Sequence, residues 1–186
     1  MTGGSLSGRR FRAPQAGVRP TADRVREALF ARLGELEGLR VLDLYAGSGA
    51  LGIEAISRGA ASALFVERDA RVLAVLQQNL ASLGLERTAR VVAGDVPAVL
   101  QRLGGEGVRA DLALIDPPYA SGESARAFDA LVGSGILCAG AMVVLERGRR
   151  DASPQVSGLT ALDERRYGDT VVARFSARGI DPAGEP

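Results

Sequence analysis

The sequence lacks histidine and has one cysteine, Cys138, among its 186 residues. A disulfide needs two cysteines, and Cys/His metal sites need several such ligands, so we expect neither a disulfide framework nor a metal centre. A lone cysteine is typical of a reducing compartment, and we expect a cytoplasmic protein. No apolar run approaches the ~18 residues of a membrane span, and residues 1–12 lack the apolar core of a signal peptide.

Lysine is also absent, so all 23 basic residues are arginine, and the formal net charge is only +1. A charge so close to zero gives no global signal for nucleic-acid binding. The planar guanidinium suits phosphate, so clustered arginines predict an RNA or DNA contact, whereas codon bias with a solvated arm explains the same pattern. Charge alone leaves both interpretations open. The clustered arginines are Arg9, Arg10, Arg12, Arg19, Arg24 and Arg26 near the start, and Arg147, Arg149 and Arg150 later.

The length and composition are those of one globular domain. A chain of 186 residues buries one sizeable core, and 46% hydrophobic with 24% charged residues is ordinary for a soluble protein. We expect a basic flexible arm at residues 1–19, a domain at residues 20–176 and a frayed tail at residues 177–186. Because no exposed apolar stripe is evident, we expect a monomer.

Short apolar strands alternate with amphipathic helices along most of the chain. A first helix should run from Pro20 to Gly38, with Arg24, Arg26 and Glu27 on its polar face. Alternating units of this length indicate a parallel, doubly wound sheet with right-handed crossovers. The strands are predicted at residues 40–44, 62–66, 89–93, 112–115 and 141–145. The helix after the first strand should run to about Arg58, and the later helices are predicted at about residues 70–83, 97–103 and 125–132.

The end of the chain has a different pattern. Residues 162–167 and 170–175 read as strands on either side of Gly168-Asp169, which is a typical two-residue hairpin turn. The sheet should therefore finish with an antiparallel pair.

A glycine-rich stretch, LRVLDLYAGSGALGIE, runs from Leu39 to Glu54. It reads as a strand, a tight turn and a helix. Glycines let the backbone approach a ligand closely, and the first turn of a helix offers unpaired N–H groups. The stretch therefore predicts a small-molecule cradle without identifying the molecule.

Four carboxylates lie in or directly after consecutive predicted strands: Asp43, Glu67, Asp95 and Asp116. Open α/β sheets bind ligands at the carboxyl ends of their strands, so these groups should share one edge. Such a rim repels phosphate and suits a cationic ligand with ribose hydroxyls and an adenine amine. For Asp95 alone, a helix cap is an alternative explanation.

The glycine pattern fits both NAD and S-adenosylmethionine. Gly47, Gly49 and Gly52 satisfy G-x-G-x-x-G, and Glu67 follows about twenty residues after the first glycine. Asp43 would place a negative charge beside a pyrophosphate, however, and the chain offers no suitable His, Cys or Lys as a hydride-transfer acid. We therefore favour S-adenosylmethionine.

The second strong motif is Asp116-Pro117-Pro118-Tyr119. Two prolines cannot continue a strand, so they form a rigid loop whose carbonyls point outward. The Asp116 carboxylate and the Pro117 carbonyl make two acceptors for an –NH₂ group, and Tyr119 can stack on a flat ring. A structural turn with a packing tyrosine is the alternative, although such a turn needs no preceding acid.

These motifs together resemble those of class I S-adenosylmethionine-dependent methyltransferases that act on exocyclic amines. With RPTADRVREALF at Arg19 to Phe30, the chain more narrowly resembles the RsmD family of small-subunit ribosomal RNA guanine-N2 methyltransferases over about residues 8–175. The resemblance implies a three-layer Rossmann-like α/β sandwich, with a doubly wound, mostly parallel seven-stranded sheet that ends in an antiparallel hairpin. It also implies 16S rRNA as the partner, within an assembling subunit, with guanine 966 as the target.

The resemblance further implies a role for each matching residue. Asp116, Pro117 and Tyr119 would hold the guanine amine and stack on the base. The cofactor would be bound by Asp43, Tyr45, Gly47, Ser48, Gly49, Glu67, Arg68, Asp95, Val96 and Asp116. RNA would be bound by Arg9, Arg10, Arg19, Thr21, Arg24 and Arg26.

Two alternative functions remain open. The acid-Pro-Pro-aromatic loop also serves amine methyltransferases that act on DNA adenine or on protein glutamine. A domain of about 150 residues leaves little room for a DNA-reading domain, however. The other alternative is a non-catalytic RNA-binding module that has kept the fold.

Overall fold

The computed structural model describes residues 1–9, 20–118, 122–151, 154 and 157–178, with side chains in the first helix described from Arg24 onwards. Within these ranges, no helix is both long and apolar enough to cross a membrane. The helices are α1 (Pro20–Leu33), α2 (Ala50–Ser57), α3 (Ala70–Leu83), α4 (Val96–Gly105) and α5 (Glu123–Gly133). The strands are β1 (Arg40–Leu44), β2 (Ser62–Glu67), β3 (Ala89–Ala93), β4 (Ala110–Ile115), β5 (Leu137–Gly148), β6 (Leu159–Tyr167) and β7 (Thr170–Ala177).

The seven strands form one sheet in the order β3-β2-β1-β4-β5-β7-β6. Strands β1 to β5 run parallel, β7 is antiparallel to β5, and β6 is antiparallel to β7. The predicted doubly wound sheet with a final antiparallel pair is confirmed. The chain moves outward from β1 to β3 and then returns to β4 beside β1. The carboxyl ends of β1 and β4 are therefore the topological switch point, where sheets of this kind bind ligands.

Helices cover both faces of the sheet and bury a core on each. One face packs against α1, α2 and α3 through side chains such as Phe30, Ile53 and Leu76. The other packs against α4 and α5 through Leu100 and Phe128. This three-layer arrangement explains why the central strands are apolar on both faces.

The predicted element boundaries are close to the observed ones, with two exceptions. Helix α1 stops at Leu33 instead of continuing to Gly38, because Gly34 adopts a left-handed conformation (φ 76°) that ends the helix. Strand β5 is predicted as residues 141–145 but spans Leu137–Gly148. Its later residues pair with β7 after its parallel pairing with β4 has ended at Leu145.

Residues 2–6, which lie in the segment predicted to be a flexible arm, are hydrogen-bonded to helix α2. Thr2 donates from its backbone N–H and its hydroxyl to the buried Glu54 carboxylate, at 3.0 and 2.7 Å. Ser5 donates from its N–H to the Ser57 carbonyl at 2.7 Å, and Leu6 to the Ser57 hydroxyl at 2.9 Å. The rest of the predicted arm, residues 10–19, lies outside the described residues.

The closest approach between a helix and the sheet in the glycine stretch is at Gly52. A Cβ at this position would stand 2.3 Å from Cε1 of Phe65 on β2 and 3.0 Å from Oδ2 of Asp43 on β1. Helix α2 therefore lies directly against the sheet only because residue 52 has no side chain. This is the packing role of the third glycine in the G-x-G-x-x-G pattern.

We expect Gly52→Ala to destabilise the fold, because the new methyl group must displace Phe65 or move helix α2. Overpacking of this kind costs about 1–3 kcal/mol, to be measured as the free energy of unfolding in denaturant. Gly105→Ala in α4 is the matched control, because its Cβ would meet nothing within 4 Å. The control should be neutral or gain up to ~1 kcal/mol from helix propensity. Equal stability of the two variants would contradict the close approach.

Candidate active site

The sequence motifs meet at the carboxyl edge of the sheet. The loop from Tyr45 to Gly49 follows β1, and Asp116-Pro117 follows β4, its neighbour. The last register pair of these strands is Leu44 with Ile115, so both loops leave the sheet at the same level. Tyr119, which was predicted to stack on the substrate, lies outside the described residues.

The glycine loop is a tight turn with several residues in the left-handed conformation. Gly47 and Gly49 have φ angles of 57° and 84°, and Tyr45 has 59°, which is uncommon for a residue with a side chain. The Gly49 N–H donates to the Ala46 carbonyl at 2.8 Å and closes the turn. A Cβ at Gly47 would meet only the Tyr45 carbonyl oxygen, at 3.9 Å, so this part of the loop faces open space.

Two polar side chains fix the loop from outside. Glu67, at the end of β2, accepts the Gly47 N–H at 3.0 Å with Oε2, while its Oε1 accepts the N–H groups of Arg68 and Asp69 at 2.8 and 2.9 Å. The buried Asn79 of α3 donates to the Ser48 carbonyl at 3.0 Å. Sequence reasoning missed Asn79, although a polar residue three positions after Leu76 on the apolar face of α3 was a signal.

Asp43 is fully buried beneath the loop. Its Oδ2 accepts the Gly52 N–H at 2.8 Å and so joins β1 to the first turn of α2. Burial is the main cause that raises the pKa of Asp43, to about 8; the Gly52 hydrogen bond opposes the rise, and the charges of Asp116 and Glu67 contribute to it. Asp43 therefore supports the cradle from below rather than lining its open surface.

Asp95 precedes helix α4 and occupies the N-cap position, but its side chain makes no capping hydrogen bond. Its carboxylate oxygens remain available at the rim. The next residue, Val96, is buried and anchors the start of the helix. Helix capping therefore does not explain why residue 95 is an aspartate. This favours the interpretation that the Asp95 carboxylate recognises a ligand.

Asp116 stands at the mouth of the site, with its N–H donating to the Leu44 carbonyl at 3.4 Å. The side chain has solvent access, yet the surrounding walls limit the hydration of its carboxylate, which raises its pKa to about 6. Pro117 beside it is buried. An acid with a raised pKa in a cleft is typical of a functional site.

Glu146 is a fifth carboxylate at this edge, and sequence reasoning missed it. It follows the last register pair of β4 and β5, Ile115 with Leu145, and so stands beside Asp116. Burial and the charge of Asp116 raise the pKa of Glu146 to about 7. The rule that located the other four carboxylates, taking the residue in or after each strand, would have found Glu146 if applied to the fifth strand.

Tyr45 joins the two loops. Its hydroxyl donates to Oε2 of Glu123 at 3.0 Å, and Glu123 is the first residue of α5, the helix that follows the Asp116 loop. Burial, together with this carboxylate, raises the pKa of the Tyr45 hydroxyl. The phenol thus links the two loops among the described residues, and a contact between Tyr45 and the cofactor stays a prediction. Arg68 is exposed at the same edge.

Among the arginines predicted to bind RNA, the structure describes the side chains of three, and these differ in exposure. Arg9 and Arg24 are exposed, whereas Arg26 is only 8% exposed and its Nε lies 3.8 Å from the buried Glu54 carboxylate. The prediction that Arg26 lies on the polar face of α1 is wrong, because that side of the helix turns toward α2. Arg10 and Arg19 lie outside the described residues, and Thr21 belongs to α1 with an undescribed side chain.

A cavity of about 360 Å³ opens at the opposite edge of the sheet. Its lining includes Arg40, Ser62 and Ala89, the first residues of β1, β2 and β3. None of the predicted cofactor residues lines it, so it is separate from the candidate site.

The described residues fit S-adenosylmethionine. Three N–H donors occupy Glu67, and a carboxylate has about four acceptor positions, so one remains for a ribose hydroxyl. Asp95 has oxygens free for an adenine amine, and the open side of Gly47 leaves room for the methionine end. The acidic rim favours a ligand with net positive charge.

Known proteins resemble this chain over almost its whole length. The family model described as Conserved hypothetical protein 95 matches residues 1–176. The ribosomal RNA small subunit methyltransferase D of Escherichia coli strain K12 is 35% identical over 180 residues, which is 96% of this chain and 89% of that protein. A structure from Thermus thermophilus, described as a hypothetical protein, has a TM-score of 0.80 at 34% identity and covers 96% of this chain and 98% of that one. A structure described as complexed with SAH has a TM-score of 0.70 at 17% identity, covering 86% of this chain and 50% of that one, and it shows the shared fold.

We expect Asp43→Asn to reduce the pH dependence of stability. The folded protein retains the Asp43 proton up to a pKa of about 8, whereas the unfolded chain releases it near pH 4, so wild-type stability falls between these values as pH rises. Asparagine still accepts the Gly52 hydrogen bond but has no proton to lose. Between pH 5 and pH 8, the wild type should lose at least about 1.4 kcal/mol relative to Asp43→Asn, the equivalent of one pKa unit.

Denaturant unfolding at each pH measures this difference. The exposed Asp129→Asn on α5 is the control for the acid-to-amide change and should follow the wild-type profile. If Asp43→Asn also follows it, Asp43 is ionised in the folded state.

Proposed function

The chain belongs to the RsmD family, and from this membership we propose that it transfers a methyl group from S-adenosylmethionine to small-subunit ribosomal RNA. The acceptor is the exocyclic N2 amine of a guanine, guanine 966 in the family. Residues 20–176 form the methyltransferase domain. The observation that carries the proposal is the meeting of the glycine loop and the Asp116-Pro117 loop at the switch point, beneath an acidic rim.

The site has two halves with separate roles: a cofactor half, formed by the glycine loop with Glu67 and Asp95, and an acceptor half, formed by the Asp116-Pro117 loop. Gly47, Ser48 and Gly49 hold the methionine end of the cofactor, Glu67 accepts from the ribose, and Asp95 accepts from the adenine amine. When bound, the cofactor supplies an electrophilic methyl group on a positively charged sulfur. The buried Asp43 acts indirectly, by fixing the loop and helix α2 through its hydrogen bond from the Gly52 N–H.

Guanine N2 is a poor nucleophile because its lone pair is delocalised into the ring, and the acceptor half must compensate for this. The Asp116 carboxylate and the Pro117 carbonyl accept the two amine hydrogens and so orient the lone pair for in-line attack. Positioning of this kind contributes up to ~7–11 kcal/mol in favourable cases. Asp116 also stabilises the positive charge that develops on the nitrogen. Tyr119 stacks on the base in this proposal, and the base must be unpaired or flipped to enter.

RNA contacts come from the exposed arginines near the start of the chain. Arg9 and Arg24 are open to solvent and available for phosphates. Arg10, Arg19 and Thr21 complete this proposed surface. The partner is the 16S rRNA within an assembling subunit.

The direct test is methylation of unmodified small subunits with labelled cofactor, compared with free 16S rRNA and with DNA, followed by nucleoside mass analysis. We expect N2-methylguanosine in the subunit reaction. Label in methyladenine of DNA or in protein would indicate another amine methyltransferase. Cofactor binding without any transfer would support a non-catalytic module.

We expect Asp116→Ala to lower the methylation rate by about 100-fold or more, because one preorganised group at the reacting centre is commonly worth that much. The variant should still bind S-adenosylmethionine by calorimetry, since the glycine loop and Glu67 are unchanged. Asp129→Ala, an exposed acid on α5, is the control. If calorimetry shows that Asp116→Ala loses cofactor affinity as severely as it loses activity, the separation of the two halves is wrong.

The two described arginines of α1 should respond differently to substitution. Arg24→Glu should weaken RNA binding in a gel-shift titration without changing stability, because the side chain is exposed. Arg26→Gln should lower the free energy of unfolding by about 1–3 kcal/mol, because it leaves the buried Glu54 with one less cation. If Arg26→Gln keeps full stability but loses RNA affinity, the prediction that Arg26 binds RNA is supported instead.

A further inference from the structure

Glu146 lies beside the candidate site, but the proposed reaction gives it no role. In the register of the sheet it is flanked by Asp116, on the β4 side, and by Val172, its partner on β7. Neighbouring strands are about 5 Å apart, so the two acids begin from adjacent backbone positions. Val172 is fully buried, and Glu146 itself is half-buried.

Neither Asp116 nor Val172 has a side chain that could provide a cation or a hydrogen-bond donor for the Glu146 carboxylate. In the part of the chain that the structure describes, Glu146 forms no hydrogen bond and no ion pair. The nearest buried arginine, Arg147, pairs with Glu164 of β6 at 2.9 Å. An unpaired carboxylate that is partly removed from water is costly for the fold, and it is typical of a site whose partner is a ligand.

The position of Glu146 beside Asp116 points to a ligand with several adjacent N–H donors. The residues two positions earlier, Leu114 and Val144, both pack in the core beneath α1 to α3, and side chains alternate along a strand. Asp116 and Glu146 therefore lie on the same side of the sheet. The charge of Asp116 acts on Glu146, which is consistent with this closeness.

Guanine presents such a set of donors. Its Watson–Crick edge carries the N1–H beside the two hydrogens of the N2 amine, whereas adenine presents a bare N1 acceptor there. Resting on the proposed function, we propose that Glu146 is a specificity-determining residue that accepts the N1–H of the target guanine, while Asp116 and Pro117 hold its N2 amine.

The same contact assists the reaction. As N2 gains positive charge during methyl transfer, the adjacent N1–H becomes a stronger donor, and its hydrogen bond to a carboxylate strengthens. A base without N1–H loses this bond and places its N1 lone pair against a negative charge. Binding sites built for a donor reject analogues that lack it, because the acceptor is left unpaired.

The test compares guanine with 2-aminopurine, which keeps the N2 amine but has an unprotonated N1. Small subunits are reconstituted with 16S rRNA that carries either base at the target position, and kcat/KM is measured at pH 8.5, where a carboxyl with a pKa of about 7 is ionised. The wild type should prefer guanine by about 10- to 100-fold, as expected for one hydrogen bond to a charged group. In Glu146→Gln this preference should fall to about threefold or less, because the amide can donate as well as accept.

A binding measurement without cofactor accompanies the kinetics. The wild type should bind guanine-containing subunits more tightly than 2-aminopurine subunits, and Glu146→Gln should bind both alike. Glu86→Gln, an exposed acid-to-amide change before β3 at the opposite edge, is the control and should keep the wild-type preference.

The outcomes separate this inference from the proposed function. If the wild type forms no N2-methylguanosine on guanine-containing subunits, the proposed function fails, and the role of Glu146 fails with it. If the wild type methylates guanine but Glu146→Gln lowers the rates on both bases equally, Glu146 is structural and the inference is overturned. Loss of the preference in Glu146→Gln, with methylation of guanine still measurable, supports it.

Discussion

The candidate site depends on the direct contact between helix α2 and the sheet. Gly52 lets the helix approach Phe65, and the Asp43 carboxylate accepts the Gly52 N–H from inside the core. This contact fixes the direction in which the chain leaves β1, and with it the shape of the glycine loop. Glu67 and Asn79 then hold the loop from β2 and α3. The cradle is therefore rigid because three neighbouring elements specify it.

The second organising feature is the concentration of negative charge at one edge. Three carboxylates there have raised pKa values: Asp43, Asp116 and Glu146. Poor hydration raises the pKa of each, and the charge of Asp116 adds to the shifts of Asp43 and Glu146. Such a rim is unfavourable for the folded protein by itself, because each charge is poorly hydrated and repels the others. It becomes favourable when the ligands bring positive charge and N–H donors. The acidic rim thus lowers the stability of the folded protein but favours the binding of such ligands.

Much of the fold was predictable because its signals are local. Turn glycines and apolar periodicity placed the strands and helix α3, and the position of acids after strands placed four site carboxylates. The errors concern contacts between distant segments. The burial of Arg26, for example, depends on Glu54 of another helix. The full length of β5 depends on pairing at both ends: Leu137 pairs with Ala110 of β4, and the last residues, to Gly148, pair with β7. Glu146 was missed for a different reason, because the residues directly after a strand were considered only for the first four strands.

The insertion of β7 between β5 and β6 also affects the order in which a newly synthesised chain can complete the site. The elements from β1 to the start of α4 build the glycine cradle from residues 40–96, all of which emerge early. Strand β5 keeps an open edge, and Glu146 lacks its Val172 neighbour, until residues 170–177 have been made. During synthesis, the part of the site that contains the glycine loop therefore takes shape first, and the part that contains Glu146 is finished only when β7 is in place.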